Sequence, residues 1–595
     1  MRSPSQCIKP SLLLVFFLLS AELFTVSVTA QAQQDISQDR LYDSADEPAQ
    51  SLSSLDHLSG MLQCDSTEQH SVVSSRTSRT VSPAVVVSGA RYLQGLANQL
   101  EGNTAYSLYM ERIAERRSQQ YYSDNDGRLY ALDSVTGEEQ LIFTPAAVFA
   151  QQDQQASHSY PYFVGSAPVV ADVYDGAQWR TILVGTLGAA GKGLFALDVT
   201  HPDAIQVLWE LDDASPTLEK LRVKLGYGFS PPSIARLHTG QWAVVSGNGY
   251  QAVGADQGAA ALYIIDAIDG SMIKDLEVQS DVAEANGLSS PRLADYDGDG
   301  VADYAYAGDL HGNLWRFDLL GDGAVPAKLT PPTHASYGAL SGSSARFAPS
   351  YAGRPMFIAR AAGHAARQPI TAAPSIVPHP TGKGYLVIVG TGSHVVTADA
   401  AEGAYAHSLY GVWDMNTTAE ITAAEIITDE QLALQSITSA TLGIAQESGL
   451  QREARVISNN PVEWHTDFDP AKTVKQRGWR LDLPVGEMLI ENMRSLGTML
   501  LLQTLVPHAD PCVADARYWL YAINPATGGA TLHHAFDTRT AETTIVSAIQ
   551  FGSPGGVDLG QEAQGFVARS SDDQERLTPP PESMGRQSWR MIIEQ

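Results

Sequence analysis

Nine residues hold the densest chemistry in this sequence: Asp295-Tyr296-Asp297-Gly298-Asp299-Gly300-Val301-Ala302-Asp303. Carboxylates fall at relative positions 1, 3, 5 and 9, with glycine at position 6. Four carboxylates so close together repel one another unless a cation sits among them. In a tightly wound loop alternate side chains point inward, Gly300 permits the sharp turn, and the Val301 carbonyl at position 7 can add a backbone oxygen. Hard oxygen donors in this number suit Ca²⁺ better than Mg²⁺, which demands a rigid octahedron and keeps its waters. The loop is not a full EF-hand. Position 12 is Tyr306 where a bidentate Glu would stand, and the residues that follow, Tyr304-Ala305-Tyr306-Ala307, read as a strand. The expected ligands are therefore Asp295, Asp297, Asp299, the Val301 carbonyl and Asp303, in a compact site between two strands. The competing reading is a solvated acidic turn.

Other chemistry is sparse. There is no HExxH and no GxSxG, and no two of the 15 histidines stand four apart. The run Gly188-Ala189-Ala190-Gly191-Lys192-Gly193 lacks the spacing and the Ser or Thr of a phosphate loop. No catalytic residue is expected. The chain has 595 residues with 38 Lys plus Arg against 66 Asp plus Glu, a net charge of −28. Such a surface repels phosphate backbones and disfavours a nucleic-acid partner.

The N-terminus reads as an export signal over residues 1–32. Arg2 and Lys9 precede the apolar run Leu12 to Leu19, and small residues for cleavage follow at Val28-Thr29-Ala30 or Ala30-Gln31-Ala32. The mature chain is then not transmembrane, and Cys7 leaves with the signal. Cys64 and Cys512 remain, and spacing alone leaves open whether they pair. Residues 33–120 read as a polar leader with a weak helical pattern around Tyr92, Leu96, Leu100, Tyr109 and Ile113.

The elements that must position the acidic loop announce themselves by repetition. An apolar-aromatic strand ending in Asp or Asn, often followed by a glycine turn, recurs seven times. The copies are LYALDSVTG (129–137), LFALDVT (194–200), LYIIDAIDG (262–270), LWRFDLLG (314–321), LYGVWDM (409–415), GWRLDLPVG (478–486) and LYAINPATG (520–528). Their strand-end residues lie 42 to 96 residues apart. Irregular intervals on this scale predict an all-β, modified seven-bladed β-propeller over residues 121–595, with loop insertions, the largest over roughly 322–370. Trp179, Trp209, Trp242 and Trp315 are expected to pack between blades.

With these segments assembled, the chain resembles the C-terminal propeller of the PilC/PilY family of type IV pilus biogenesis and tip-adhesin proteins. The resemblance is carried by NDGRLYALDSVTGEE (125–139), WAVVSGNGY (242–250), LADYDGDGVADYAYAGDLHGNLWRFDL (293–319), SLYGVWD (408–414) and GWRLDLPVGE (478–487), with a closing echo at 585–590. It implies a functional Ca²⁺ site at the five loop positions, calcium occupancy linked to pilus extension against retraction, and a non-enzymatic role in assembly, attachment and twitching motility. The implied partners are the pilus machinery, minor pilins and a host or surface receptor, and the implied location is the periplasm, the outer membrane surface or the pilus tip. Such proteins usually carry a long N-terminal region, often a von Willebrand A-like domain; here about 90 mature residues precede the first expected blade. The rival functions are a quinoprotein-like dehydrogenase and a carbohydrate-binding surface propeller. The chain has no vicinal cysteine pair, and its acidic loop is a local turn rather than ligands gathered at a central channel.

Overall fold

The computed structural model describes residues 85–87, 119–123, 128–148, 168–188, 191–212, 214–228, 231–250, 258–296, 300–321, 342–361, 366–393, 406–415, 426–445, 451–464, 476–507, 517–536, 544–551, 558–562, 565–569 and 574–578. The signal segment, most of the leader with its helical pattern, all three cysteines and the echo at 585–590 lie outside them. Among the described residues there are seven sheets, nearly all antiparallel. No helix there is long and apolar enough to cross a membrane.

The sheets stack through shared apolar layers, and the third shows why its two inner strands are apolar on both faces. Its strands run in the order Ser233–Arg236, Trp242–Gly247, Ala259–Asp266 and Met272–Gln279. Side chains alternate across a strand. Ala259, Ala261, Tyr263 and Ile265 therefore join one core, shared with Val184 and Ala196 of the second sheet. Ala260, Leu262 and Ile264 join another, shared with Ala305, Trp315 and Phe317 of the fourth. A strand sandwiched in this way needs a continuous apolar run. The tryptophans sit where expected: Trp179 and Trp242 meet edge to face at 6.2 Å, Trp209 donates to the Ala267 carbonyl at 3.1 Å, and Trp315 is fully buried.

The recurrent strands occupy the third position in six sheets, but the copies do not count the sheets one for one. The sixth copy, Gly478–Asp482, pairs with the fifth, Ser408–Asp414, within one sheet. The seventh sheet, Asp558–Glu562, Gly565–Arg569 and Gln574–Leu577, carries no copy. The local pattern marks a strand running into a turn, wherever in a sheet that strand lies. The expected boundary at residue 121 falls inside the first sheet, where Val85–Val87 pairs with Gln119–Ser123. Part of the expected 322–370 insertion also belongs to a sheet: Ala348–Pro349 and Phe357–Ile358 both pair with Asn313–Asp318.

Between Ser408–Asp414 and Gly478–Asp482 the chain leaves and returns. Leu432–Gln435 lies parallel to Gly478–Asp482 at the edge of the fifth sheet. The hairpin Ile437–Ala445 and Gln451–Ile457 instead extends the sixth sheet, through pairing of Gln451–Ile457 with Ala548–Gln550. The fourth and fifth sheets are also joined by a buried ionic cluster. Arg316 donates to Asp318 at 2.8 Å and to Asp414 at 2.9 Å. Tyr306 and Tyr351 each donate to Asp414 at 2.7 Å. Tyr351 and Ala352 hold left-handed backbone at φ +54° and +55°, a strained conformation for residues with a Cβ.

Candidate metal centre

The acidic loop connects the first two strands of the fourth sheet, Arg292–Ala294 and Tyr304–Gly308, in the register Ala294 opposite Tyr304. The strands form because Tyr304 and Tyr306 face the core shared with the fifth sheet, while Ala305 and Ala307 face the one shared with the third. The Asp303 N–H donates to the Ala294 carbonyl at 2.8 Å and closes the base of the loop. Gly300 adopts φ +83°, open to glycine without strain, and donates its N–H to Asp295 Oδ2 at 2.8 Å.

Two of the five expected ligands, Asp297 and Asp299, lie outside the described residues. The remaining three are placed at the two ends of the loop. Asp295 is exposed, whereas Val301 and Asp303 are buried. Asp303 also does structural work that its spacing does not reveal. Its Oδ2 accepts the Tyr296 N–H at 2.7 Å, and its Oδ1 accepts from His238 Nε2 at 2.8 Å. A carboxylate offers about four lone-pair sites, and an ion in the loop would share Asp303 with these hydrogen bonds. Among the described residues no three His, Cys, Asp or Glu side chains are gathered for a metal. Asp295 and Asp303 supply the described carboxylates of the loop, and the Val301 carbonyl adds a third oxygen candidate. These three candidates are hard oxygens, the donor type that suits Ca²⁺.

Two residues that sequence reading missed complete the surroundings. His238 follows the Ser233–Arg236 strand of the third sheet, and Tyr385 begins the Tyr385–Gly390 strand of the fifth. The Tyr385 hydroxyl donates to the Asp295 carbonyl at 2.8 Å, and its ring meets Tyr296 edge to face at 5.4 Å. Burial, followed by the charges of Asp295 and Asp303, pushes this phenol well above its ordinary range, so it stays a neutral donor. The contacts span 90 residues for Tyr385 and 65 for His238, and no local motif signals either.

The segment that follows the loop within the 293–319 stretch, Gly308-Asp309-Leu310-His311-Gly312-Asn313-Leu314-Trp315, is scaffold. Asp309 is fully buried. It accepts from the N–H groups of His311 and Asn313 at 2.9 and 2.8 Å and from Trp315 Nε1 at 2.9 Å.

A family model described as the PilY1 beta-propeller domain matches residues 79–441. The chain belongs to the PilY1 β-propeller family. The crystal structure of the Pseudomonas aeruginosa PilY1 C-terminal domain is similar with a TM-score of 0.71 and 40% identity, covering 83% of this chain and 100% of that one. A type IV pilus biogenesis factor PilY1 of P. aeruginosa (strain UCBPP-PA14) is 43% identical over 540 residues, 86% of this chain and 45% of the relative. A PilY1 homolog of Xylella fastidiosa (strain Temecula1 / ATCC 700964) is 30% identical over 430 residues, 69% of this chain and 26% of the relative. The chain thus spans less than half the length of these curated PilY1 relatives. The family match begins at residue 79, ahead of the strand Val85–Val87 that opens the first sheet.

Proposed function

We propose that this chain acts in type IV pilus biogenesis as an exported, calcium-binding propeller that promotes assembly by opposing retraction. Its place is the cell envelope or the pilus tip, and its partners are the pilus machinery and minor pilins. Adhesion to a surface and a contribution to twitching motility follow from the same placement. Membership of the PilY1 family supports the pilus role. The observation that carries the calcium part is the 295–303 loop, with its all-oxygen donors and a glycine at φ +83° that lets it fold back on itself. Asp295, Asp297, Asp299, the Val301 carbonyl and Asp303 would hold the ion, which supplies the positive charge that lets these carboxylates share one loop. Nothing in this role requires bond-making chemistry. A bound ion can favour one partner state only through its differential affinity for that state.

The test uses the exposed ligand, Asp295→Asn, because its loss leaves the buried scaffold intact. Isothermal titration of the purified chain should show calcium binding lost or greatly weakened. A strain carrying the variant should export the protein yet display few surface pili, and deleting its retraction motor should restore them. Piliation equal to wild type with the motor present would overturn the regulatory reading. Piliation that stays absent without the motor would assign the loop to assembly itself.

A further inference from the structure

The acidic loop belongs to the fourth sheet, but its two ends are held by the sheets on either side. At its start, Asp295 gives its carbonyl to the Tyr385 hydroxyl of the fifth sheet, and Tyr296 packs on the same ring. At its end, the Ala302 N–H donates to the Arg236 carbonyl at 2.9 Å, and Asp303 accepts from His238, both from the third sheet. His238 is itself fixed by the Gly342 N–H, which donates to its carbonyl at 3.1 Å. A hairpin needs none of these contacts to close, since its own register already pairs Ala294 with Tyr304. What they fix is the position of the two carboxylate-bearing ends relative to each other.

We propose that Tyr385 and His238 are positioning residues for the metal loop, and that an ion bound there tightens both seams between the third, fourth and fifth sheets. The inference rests on the reading that the loop holds calcium. Groups behind a ligand orient it and raise its affinity, and losing one typically weakens metal binding by about tenfold or more. The coupling is reciprocal: if the seams favour the ion, the ion stabilises the seams by the same factor.

The experiment uses the full exported chain at fixed pH, with Ca²⁺ as the probe. Tyr385→Phe keeps the ring on Tyr296 and deletes the hydroxyl; His238→Gln keeps a donor but changes its reach. Titration calorimetry should show calcium affinity lowered by about tenfold in each. Hydrogen exchange should show calcium slowing the amides of 300–306 in wild type together with those of 385–390 and 233–238. In Tyr385→Phe the response at 385–390 should disappear while that at 300–306 survives. A role confined to folding would lower the melting temperature in chelator and leave affinity unchanged. Wild-type affinity in both variants, or calcium protection confined to the fourth sheet, overturns the proposal. Wild-type protein that binds no calcium removes the calcium reading, and this inference with it.

Discussion

Replacing Asp303 should separate folding from metal binding, because the structure gives this carboxylate a scaffold role beside the ligand role proposed for it. The side chain is 1% exposed and accepts from His238 Nε2 at 2.8 Å and from the Tyr296 N–H at 2.7 Å. Asp303→Ala removes both acceptors and leaves two donors without their partner. At roughly 1–3 kcal/mol for each buried group left unsatisfied, the loss is about 2–6 kcal/mol before any ion is considered. Asp303→Asn should cost less, roughly half of that. Its Oδ1 can keep the Tyr296 bond, and its amide can donate to His238 once that ring adopts the other tautomer. Asp295 is exposed, and Asn can still accept from Gly300, so Asp295→Asn should change folding by no more than about 0.5 kcal/mol. Melting curves in chelator should therefore rank wild type and Asp295→Asn together, then Asp303→Asn, then Asp303→Ala. With calcium at about one hundred times its Kd, wild type should gain about 2.7 kcal/mol. Asp295→Asn should lose most of that gain while keeping its stability in chelator. Asp303→Ala as stable as wild type in chelator would refute the structural role. An undiminished calcium shift in Asp295→Asn would refute the ligand assignment.

Asp414→Asn should lower the urea midpoint by the equivalent of about 3–5 kcal/mol. It leaves Arg316 buried with weakened compensation, where Asp414 accepts at 2.9 Å; a midpoint within error of wild type would contradict the clamp between the fourth and fifth sheets. His311 should impose a pH dependence. Burial lowers its pKa in the fold, with Asp309 opposing, so the unfolded chain takes the proton first as pH falls below about 6.5. Its contribution is fully present above that value and is lost on acidification. His311→Gln should flatten this part of the stability profile between pH 7 and 5, and an unchanged slope would argue against it.

The fold was legible because its signals are local. Alternating or continuous apolar runs mark strands, and the terminal Asp marks the turn. Asp133 Oδ1 accepts from Val135 and Thr136, Asp266 Oδ1 accepts from Ile268, and Asn524 Oδ1 accepts from Ala526. The same residue type at the same position has a second task that the sequence hides. Asp318 and Asp482 accept from Arg316 and Arg480 on their own strands, and Asp414 accepts from Arg316 of the neighbouring sheet. The strand Val85–Val87 escaped notice because three residues have no usable period. His238 and Tyr385 escaped because their meaning lies in sheet-to-sheet contact across 65 and 90 residues. The loop itself was visible from carboxylate spacing alone, but not the fact that Asp303 is buried.

The excursion between Ser408–Asp414 and Gly478–Asp482 bears on the order in which the chain can fold as it emerges from its N-terminal end. The first four sheets draw their strands from successive stretches, so each can finish as its segment emerges. The fifth cannot. Its fourth position stays vacant until Gly478–Asp482 arrives, and by then Ile437–Ala445 and Gln451–Ile457 have already emerged ahead of the sheet they extend. That hairpin waits for Ala548–Gln550, almost a hundred residues later. Until then it leaves strand edges unpaired, the state in which chains aggregate or are cut. The two sheets are therefore interleaved along the chain: a chain interrupted before Gly478 leaves both the fifth and the sixth unfinished, and one interrupted between Asp482 and Ala548 leaves the sixth open.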